Sequence, residues 1–202
     1  MALGFNIPPS YSSGSIVSGN YKIKNKMDNL LRRLKLKEDL TTNLKIEKID
    51  FVQKLSSITD KGDVGIFSDT FDIFSSSKNE FKGRVNSKGF EIKRKRRFFD
   101  TNMNTAIAKG TLYENNGALS IETEINGFHN LYVVFYIMLI IFYSIAIIGI
   151  SISDNNVKFG VIPFLLLHGT LMFSFPYFMM RRSVKRLKYE LEREFYYFTK
   201  EY

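Results

Sequence analysis

Two apolar runs dominate the pattern of the chain. Leu131–Ile152 and Phe159–Met180 are separated only by Ser153-Asp154-Asn155-Asn156-Val157-Lys158, and neither contains Asp, Glu, Lys or Arg. Each run is 22 residues long. At about 1.5 Å per residue a helix of that length reaches roughly 33 Å, enough to cross a hydrocarbon core about 30 Å thick. The pattern predicts a transmembrane helical hairpin over residues 131–180. Beyond it, Val184, Leu187, Leu191, Phe195 and Phe198 recur at spacings of three and four, which predicts an amphipathic helix over residues 181–202. Three partners compete for its apolar face: a sheet, the lipid interface and a second copy of the chain. The sheet is favoured, because a half-covered sheet needs a lid and this helix emerges on the sheet's side of the hairpin.

Before the hairpin the period changes from helical to two. Leu119, Ile121, Thr123 and Ile125 alternate with Ser120, Glu122 and Glu124, the pattern of a strand covered on one face. Phe81–Val85, the turn Asn86-Ser87-Lys88-Gly89 and Phe90–Phe99 read as a hairpin, with Gly89 available for positive φ. A strand over Thr105–Tyr113 reaches a second turn at Asn115-Asn116-Gly117. Upstream, a strand is favoured over Arg32–Thr42, although Met27, Leu30, Leu31 and Leu34 also fit a helical face. Ile49, Phe51, Val52 and Leu55 supply the apolar face of a short helix closed by the turn residues Asp60-Lys61-Gly62-Asp63, and Thr70–Phe74 alternates like a further strand. Residues 31–130 therefore read as a small α+β domain with an antiparallel sheet. Residues 1–30 begin rich in Ser, Gly and Pro, lack the apolar core of a secretory signal, and read as a disordered leader.

This order of elements resembles a group of small bacterial two-span membrane proteins. The likeness is carried by Phe81-x-Gly83-x-Val85, then Gly89-Phe90-x-Ile92 leading into a basic strand, an Asn-containing break, a Gly110 strand, a Gly117 turn, two spans and a closing amphipathic helix. It covers Leu34 to Phe198. The resemblance implies two spans and a small sheet domain; the group brings no assigned activity and no catalytic residues.

Charge adds an orientation. The formal net charge of +9 is uneven: 21 Lys/Arg and 15 Asp/Glu precede residue 131, one of each lies in the hairpin connection, and seven against four follow Met180. Arg181, Arg182, Lys185, Arg186 and Lys188 flank the second run, whereas the connection has only Lys158. The positive-inside rule then puts both termini in the cytoplasm, as a multi-pass protein of the cell membrane. The chain has no Cys, so disulfides, thiolate metal sites and cysteine nucleophiles are excluded.

Candidate chemistry is sparse. His168 is an ionisable residue inside the second run, and by default such a residue is a functional candidate. In an antiparallel hairpin with these ends it lies level with Tyr143, beside Ser144, so a hydrogen bond to either hydroxyl would hold the helices together. The run Lys93-Arg94-Lys95-Arg96-Arg97 is the densest charge. Three readings of it compete: a solvated strand end, a patch for anionic headgroups, and a nucleic-acid surface, the last disfavoured because no binding motif accompanies the charge. Lys93, Lys95, Arg97, Arg181, Arg182 and Lys185 are the candidate anionic-lipid residues. No nucleophile with its base, paired catalytic carboxylates or phosphate-cradling Gly loop is legible. No metal spacing surrounds His129 or His168, and no cofactor is expected. The expectation is a non-enzymatic, membrane-tethered binding or scaffolding module whose partners are lipids, with an oligomeric transport or pore component as the alternative.

Overall fold

The computed structural model describes residues 25–65, 77–95, 104–115, 117–152 and 155–200. Helix α1 covers residues 25–33. There follow β1 (Lys37–Leu44), α2 (Lys48–Ser57), β2 (Thr59–Lys61), β3 (Phe81–Asn86), β4 (Gly89–Arg94), β5 (Ile107–Asn115), β6 (Ala118–Asn126), α3 (Asn130–Ile152) and α4 (Asn155–Lys200). The strands form one sheet in the order β1-β6-β5-β4-β3-β2. Its pairs are antiparallel except at one edge, where β2 runs parallel to β3 with Thr59 opposite Phe81. The sheet is therefore mixed, and the expectation of a purely antiparallel one is corrected. The expected strand over Thr70–Phe74 and the end of the basic strand beyond Lys95 lie outside the described residues.

Local chemistry accounts for the element boundaries. Residues 25–33 are helical and β1 begins only at Lys37, later than the strand expected from Arg32. The helix stops in a Schellman arrangement: Lys35 N–H donates to the Arg32 carbonyl at 3.0 Å and Leu36 N–H to the Leu31 carbonyl at 2.9 Å, with Lys35 at φ 55°. In α2, Phe51 and Leu55 are buried, whereas Ile49 is 70% exposed. Residues two apart on a helix diverge by about 200°, so the phase that buries Phe51 turns Ile49 to solvent. In the β3–β4 turn Asn86 Oδ1 accepts from Lys88 N–H at 2.8 Å and Gly89 N–H at 3.0 Å. Gly89 does not take the positive φ expected of it; that conformation falls to Gly117, at φ 77°, in the next turn. What Gly89 supplies is close approach, since a Cβ there would strike the Gly110 carbonyl.

One face of the sheet carries the core. Phe90, Ile92, Ala108, Leu112, Leu119, Ile121 and Ile125 point to it, and the buried alternation along β6 is the one legible in the sequence. Phe51 and Leu55 of α2 and Val184, Leu187, Leu191, Phe195 and Phe198 of α4 cover the same face. The Phe51 ring meets those of Phe195 and Phe198 edge-on at 5.3 and 5.8 Å. On the opposite face Asp39, Thr41, Lys109, Thr111, Glu122 and Glu124 line a polar surface, with Lys109 paired to Glu91 at 2.8 Å. Edge pairs pin the lid: Lys188 to Glu38 at 3.1 Å, Arg193 to Glu80 at 3.0 Å, and Lys54 Nζ donating to the Phe198 carbonyl at 3.2 Å.

Both α3 and α4 contain a stretch long and apolar enough to cross a membrane. Their apolar side chains face outward, Ile140, Ile148, Leu166 and Phe175 among them. The second apolar run and the amphipathic tail are not separate elements. α4 continues unbroken for 46 residues through Pro163, Pro176 and Arg181, which at about 1.5 Å per residue is roughly 69 Å.

Tight packing at Gly110 gives a test of the core. The Phe90 ring occupies the space where a Gly110 Cβ would sit. Gly110→Ala should destabilise the sheet by about 1–3 kcal/mol through overpacking. The measurement is denaturant unfolding of the full chain in detergent followed by far-UV circular dichroism. An unchanged midpoint would show that Phe90 has room to move.

Candidate functional site

The polar pairing inside the hairpin is well defined. Tyr143 Oη lies 2.6 Å from His168 Nδ1, one hydrogen bond that either ring tautomer can complete. Among the described residues of α3, Tyr143 alone is buried. Phe164, one turn before the histidine on α4, stacks on the imidazole with centroids 5.9 Å apart and planes at 14°, and Phe173 leans on the tyrosine ring at 5.9 Å. Gly169 faces that ring, where a Cβ would make ordinary contact with Tyr143 carbons at 3.5 Å. Ser144, the other expected partner, does not join. One position further around the helix it is exposed, and its hydroxyl donates to the Ile140 carbonyl at 2.7 Å. A second contact went unread in the sequence although the same depth matching would have found it. Tyr136 stacks on Phe173 at 5.8 Å and donates its hydroxyl to the Phe173 carbonyl at 3.2 Å.

Where the hairpin meets the sheet, a separate apolar cluster forms. Leu31, Leu36 and Met180 are buried together, with Phe128, Tyr132 and Tyr177 packed around them. The backbone seals the same junction: Gly127 N–H donates to the Leu36 carbonyl at 2.9 Å, and Ala106 N–H donates to Ser183 Oγ at 2.9 Å. Gly127 is confined beneath α4, where an added Cβ would meet Val184 Cγ2 at 2.6 Å and the Met180 carbonyl at 3.0 Å. Immediately beyond, Arg181, Arg182 and Lys185 are exposed, three cations within the first turns after the apolar run.

The basic run is placed differently from the expected headgroup patch. Lys93 is 1% and Lys95 5% exposed. Lys93 Nζ donates to the Gly65 carbonyl at 2.8 Å, and Lys95 Nζ lies 2.6 Å from Asp60 Oδ2. The two lysines do share the sheet face opposite the core, as strand alternation requires, but the chain around Asp60 and Gly65 covers that end of the sheet. Their ammonium groups are spent on internal partners and are not presented to headgroups. Arg94, on the core face, sits with Nε 2.9 Å from Glu190 Oε2, an ion pair whose angle falls short of a hydrogen bond, while Arg186 Nε donates to Glu190 Oε1 at 3.2 Å. Arg97 lies outside the described residues. Of the six candidate lipid residues, Arg181, Arg182 and Lys185 form one exposed group and Lys93 and Lys95 belong to the interior.

Asp60 is the important residue that the sequence hid, since it read as part of a turn. Its Oδ1 accepts from Ser77 Oγ at 2.7 Å and Asn79 Nδ2 at 2.8 Å, and Oδ2 from Lys95. Burial alone would raise its pKa, but the hydrogen bonds from Lys95, Ser77 and Asn79 outweigh that and hold the carboxyl below its ordinary value. Nearby, Ser56, Thr59, Lys61, Asp63 and Arg84 line a cleft of about 470 Å³ at the β2–β3 edge. Gly62, Gly83 and Val85 complete its lining, whose exposed surface is more apolar than polar.

Two outcomes follow from these pairings. Tyr143→Phe should weaken the helix pair by about 0.6–1.7 kcal/mol while Ser144→Ala leaves it unchanged, as read by unfolding in mixed micelles; the reverse order would discard the His168–Tyr143 bond as a fastening. Asp60→Asn removes the carboxylate charge beside the buried Lys95 ammonium and should cost up to about 3 kcal/mol. In the parent chain the same stabilisation is present above the ordinary aspartate pKa of about 3.9 and is lost as pH falls through the depressed folded value. The substituted chain should therefore lose less stability across that acid range, and equal acid profiles would remove Asp60 from the account. Comparison of the chain with protein-family models, with curated proteins and with solved structures returned no match.

Proposed function

We propose that the chain is a non-enzymatic integral membrane protein in which the α3–α4 hairpin crosses the cell membrane and holds a cytoplasmic sheet domain against the bilayer as a binding or scaffolding module. One observation carries the reading. A single helix, α4, is lipid-like in its first half and core-forming in its second, so that the apolar run Phe159–Met180 passes without a joint into the residues that bury against the sheet. A flexible tether needs no such continuity; a domain held at a fixed attitude to the bilayer does. Arg181, Arg182 and Lys185 fit the cytoplasmic headgroup level in this orientation, where each cation near an anionic surface contributes about 1 kcal/mol. The polar sheet face opposite the core is the surface left for a partner. The alternative, an oligomeric transport or pore component, draws on His168, whose Nδ1 is occupied by Tyr143 within the same hairpin.

The absence of native cysteine makes topology directly testable. Single-cysteine variants Asn156→Cys, in the hairpin connection, and Tyr113→Cys, on the open sheet face, are treated in intact cells with a membrane-impermeant maleimide. Labelling is expected at position 156 at once and at position 113 only after permeabilisation. The opposite pattern would invert the orientation, and recovery of the chain in an alkaline soluble fraction would end the membrane reading. Native mass in lipid nanodiscs addresses the alternative: single copies are expected, and a fixed ring would favour a pore.

A further inference from the structure

The first helix is built as a docked element but leaves half of its apolar arc uncovered. Positions 27, 30 and 31 of α1 and position 34, in the turn that closes it, fall within about 100° of one another at helical spacing. Leu31 turns into the junction cluster with Leu36 and Met180. Met27, Leu30 and Leu34, beside it on the same arc, remain 49%, 54% and 38% exposed. A helix this short holds little structure by itself. Here the Schellman bonds at Arg32–Leu36 close it, and Lys37, at the start of β1, reaches back to Asp28 at 3.2 Å.

The depth of α1 says what the uncovered arc meets. Tyr177 Oη donates to the Leu34 carbonyl at 3.3 Å. Tyr177 lies within the apolar run, about one turn before the exposed pair Arg181 and Arg182. α1 is thus fastened to the hairpin at the margin where its outward apolar surface gives way to charge. Its own charges follow the same plan. Lys26 and Arg33 flank the arc on the Leu30 side, both exposed and without an ion-pair partner among the described residues. Lys35 occupies the left-handed cap, a conformation for which glycine would be the less strained residue, and it too is exposed. Apolar side chains flanked by cations, placed at the end of a membrane-length run, match the headgroup and acyl boundary of a bilayer containing anionic lipid.

We infer that α1 is an in-plane interfacial helix whose Met27, Leu30 and Leu34 enter the headgroup–acyl boundary beside the hairpin, with Lys26, Arg33 and Lys35 on anionic headgroups. The inference rests on the membrane reading of the hairpin and extends it: the chain holds the bilayer at a third place, and the sheet is braced against it from both β1 and α4. Residues of the leader that the sequence assigned to disorder would then be an anchoring element.

The test uses the full chain in nanodiscs of phosphatidylcholine with phosphatidylglycerol, and single cysteines carrying a polarity-sensitive fluorophore. Leu30→Cys and Met27→Cys report on the arc, Asn29→Cys on the opposite side of α1, Tyr113→Cys on the sheet, and Ile140→Cys on the hairpin. Probes at 27 and 30 are expected to shift to the blue and to lose most of their emission to lipids bearing a nitroxide near the headgroup. Probes at 29 and 113 should keep theirs, and the probe at 140 should respond to a nitroxide deeper in the acyl chain. A quenched probe at 140 with unquenched probes at 27 and 30 overturns the inference while the hairpin stays in the bilayer. Blue-shifted but unquenched probes at 27 and 30 overturn it in favour of cover by protein, the preceding segment of this chain included. No quenching at 140 ends the membrane reading and this inference with it.

Discussion

The packing of the second half of α4 on the sheet is the contact on which the remaining structure depends. A six-stranded sheet with one apolar face is not stable in water until that face is covered, and α2, ten residues long, covers only one end of it. Val184, Leu187, Leu191, Phe195 and Phe198 cover the remainder. Because these residues share one helix with Phe159–Met180, the position of the lid also fixes the direction of the apolar run. The hairpin is a part of the folded unit as much as an appendage to it.

That dependence explains where polar groups are buried. The end of the sheet near β2 is closed by Lys95–Asp60 and by Lys93 on the Gly65 carbonyl, and the lid crosses the sheet with Glu190 set between Arg94 and Arg186. Such pairs contribute little net free energy once desolvation is counted, but removing one member leaves a stranded charge. The Glu190 set, which alone among these lies on α4, therefore acts against wrong registers of that helix, which would leave Glu190 and Arg94 without each other.

Much of the fold was legible because it rests on local period and turn chemistry. The alternation of Leu119–Ile125, the Asn86–Gly89 turn, the lengths of the two apolar runs and the spacing Val184–Phe198 each express one physical rule within a few residues. The level match between Tyr143 and His168 needed only hairpin geometry. What escaped depends on distant partners. Ile49 looked apolar and inward until the ring of Phe195 fixed the phase of α2 on Phe51. Lys93 and Lys95 read as a basic surface because Asp60, 35 residues upstream of Lys95, gives no local sign of pairing. The continuity of α4 was hidden by Arg181 and Arg182, which mark where its outward apolar surface gives way to charge and not an end of the helix, and by Pro176, which the helix accommodates.

The chain order of these parts carries one more consequence. The strands that present the core face are all synthesised before α3, and apart from Phe51 and Leu55 of α2 the residues that cover it begin only at Val184. Between them lie the two long apolar helices. On the ribosome the sheet must wait, with only α2 over one end of its apolar face, until both have emerged and the last turns of α4 have followed. During that interval Phe90, Ile92, Leu119 and Ile121 are an exposed, strand-borne apolar surface of the kind that chaperones bind and that misassembles when crowded. Successful folding of this domain is thus tied in time to the placement of its hairpin, and a chain that stalls between the two apolar runs would carry a sheet with no means of closing.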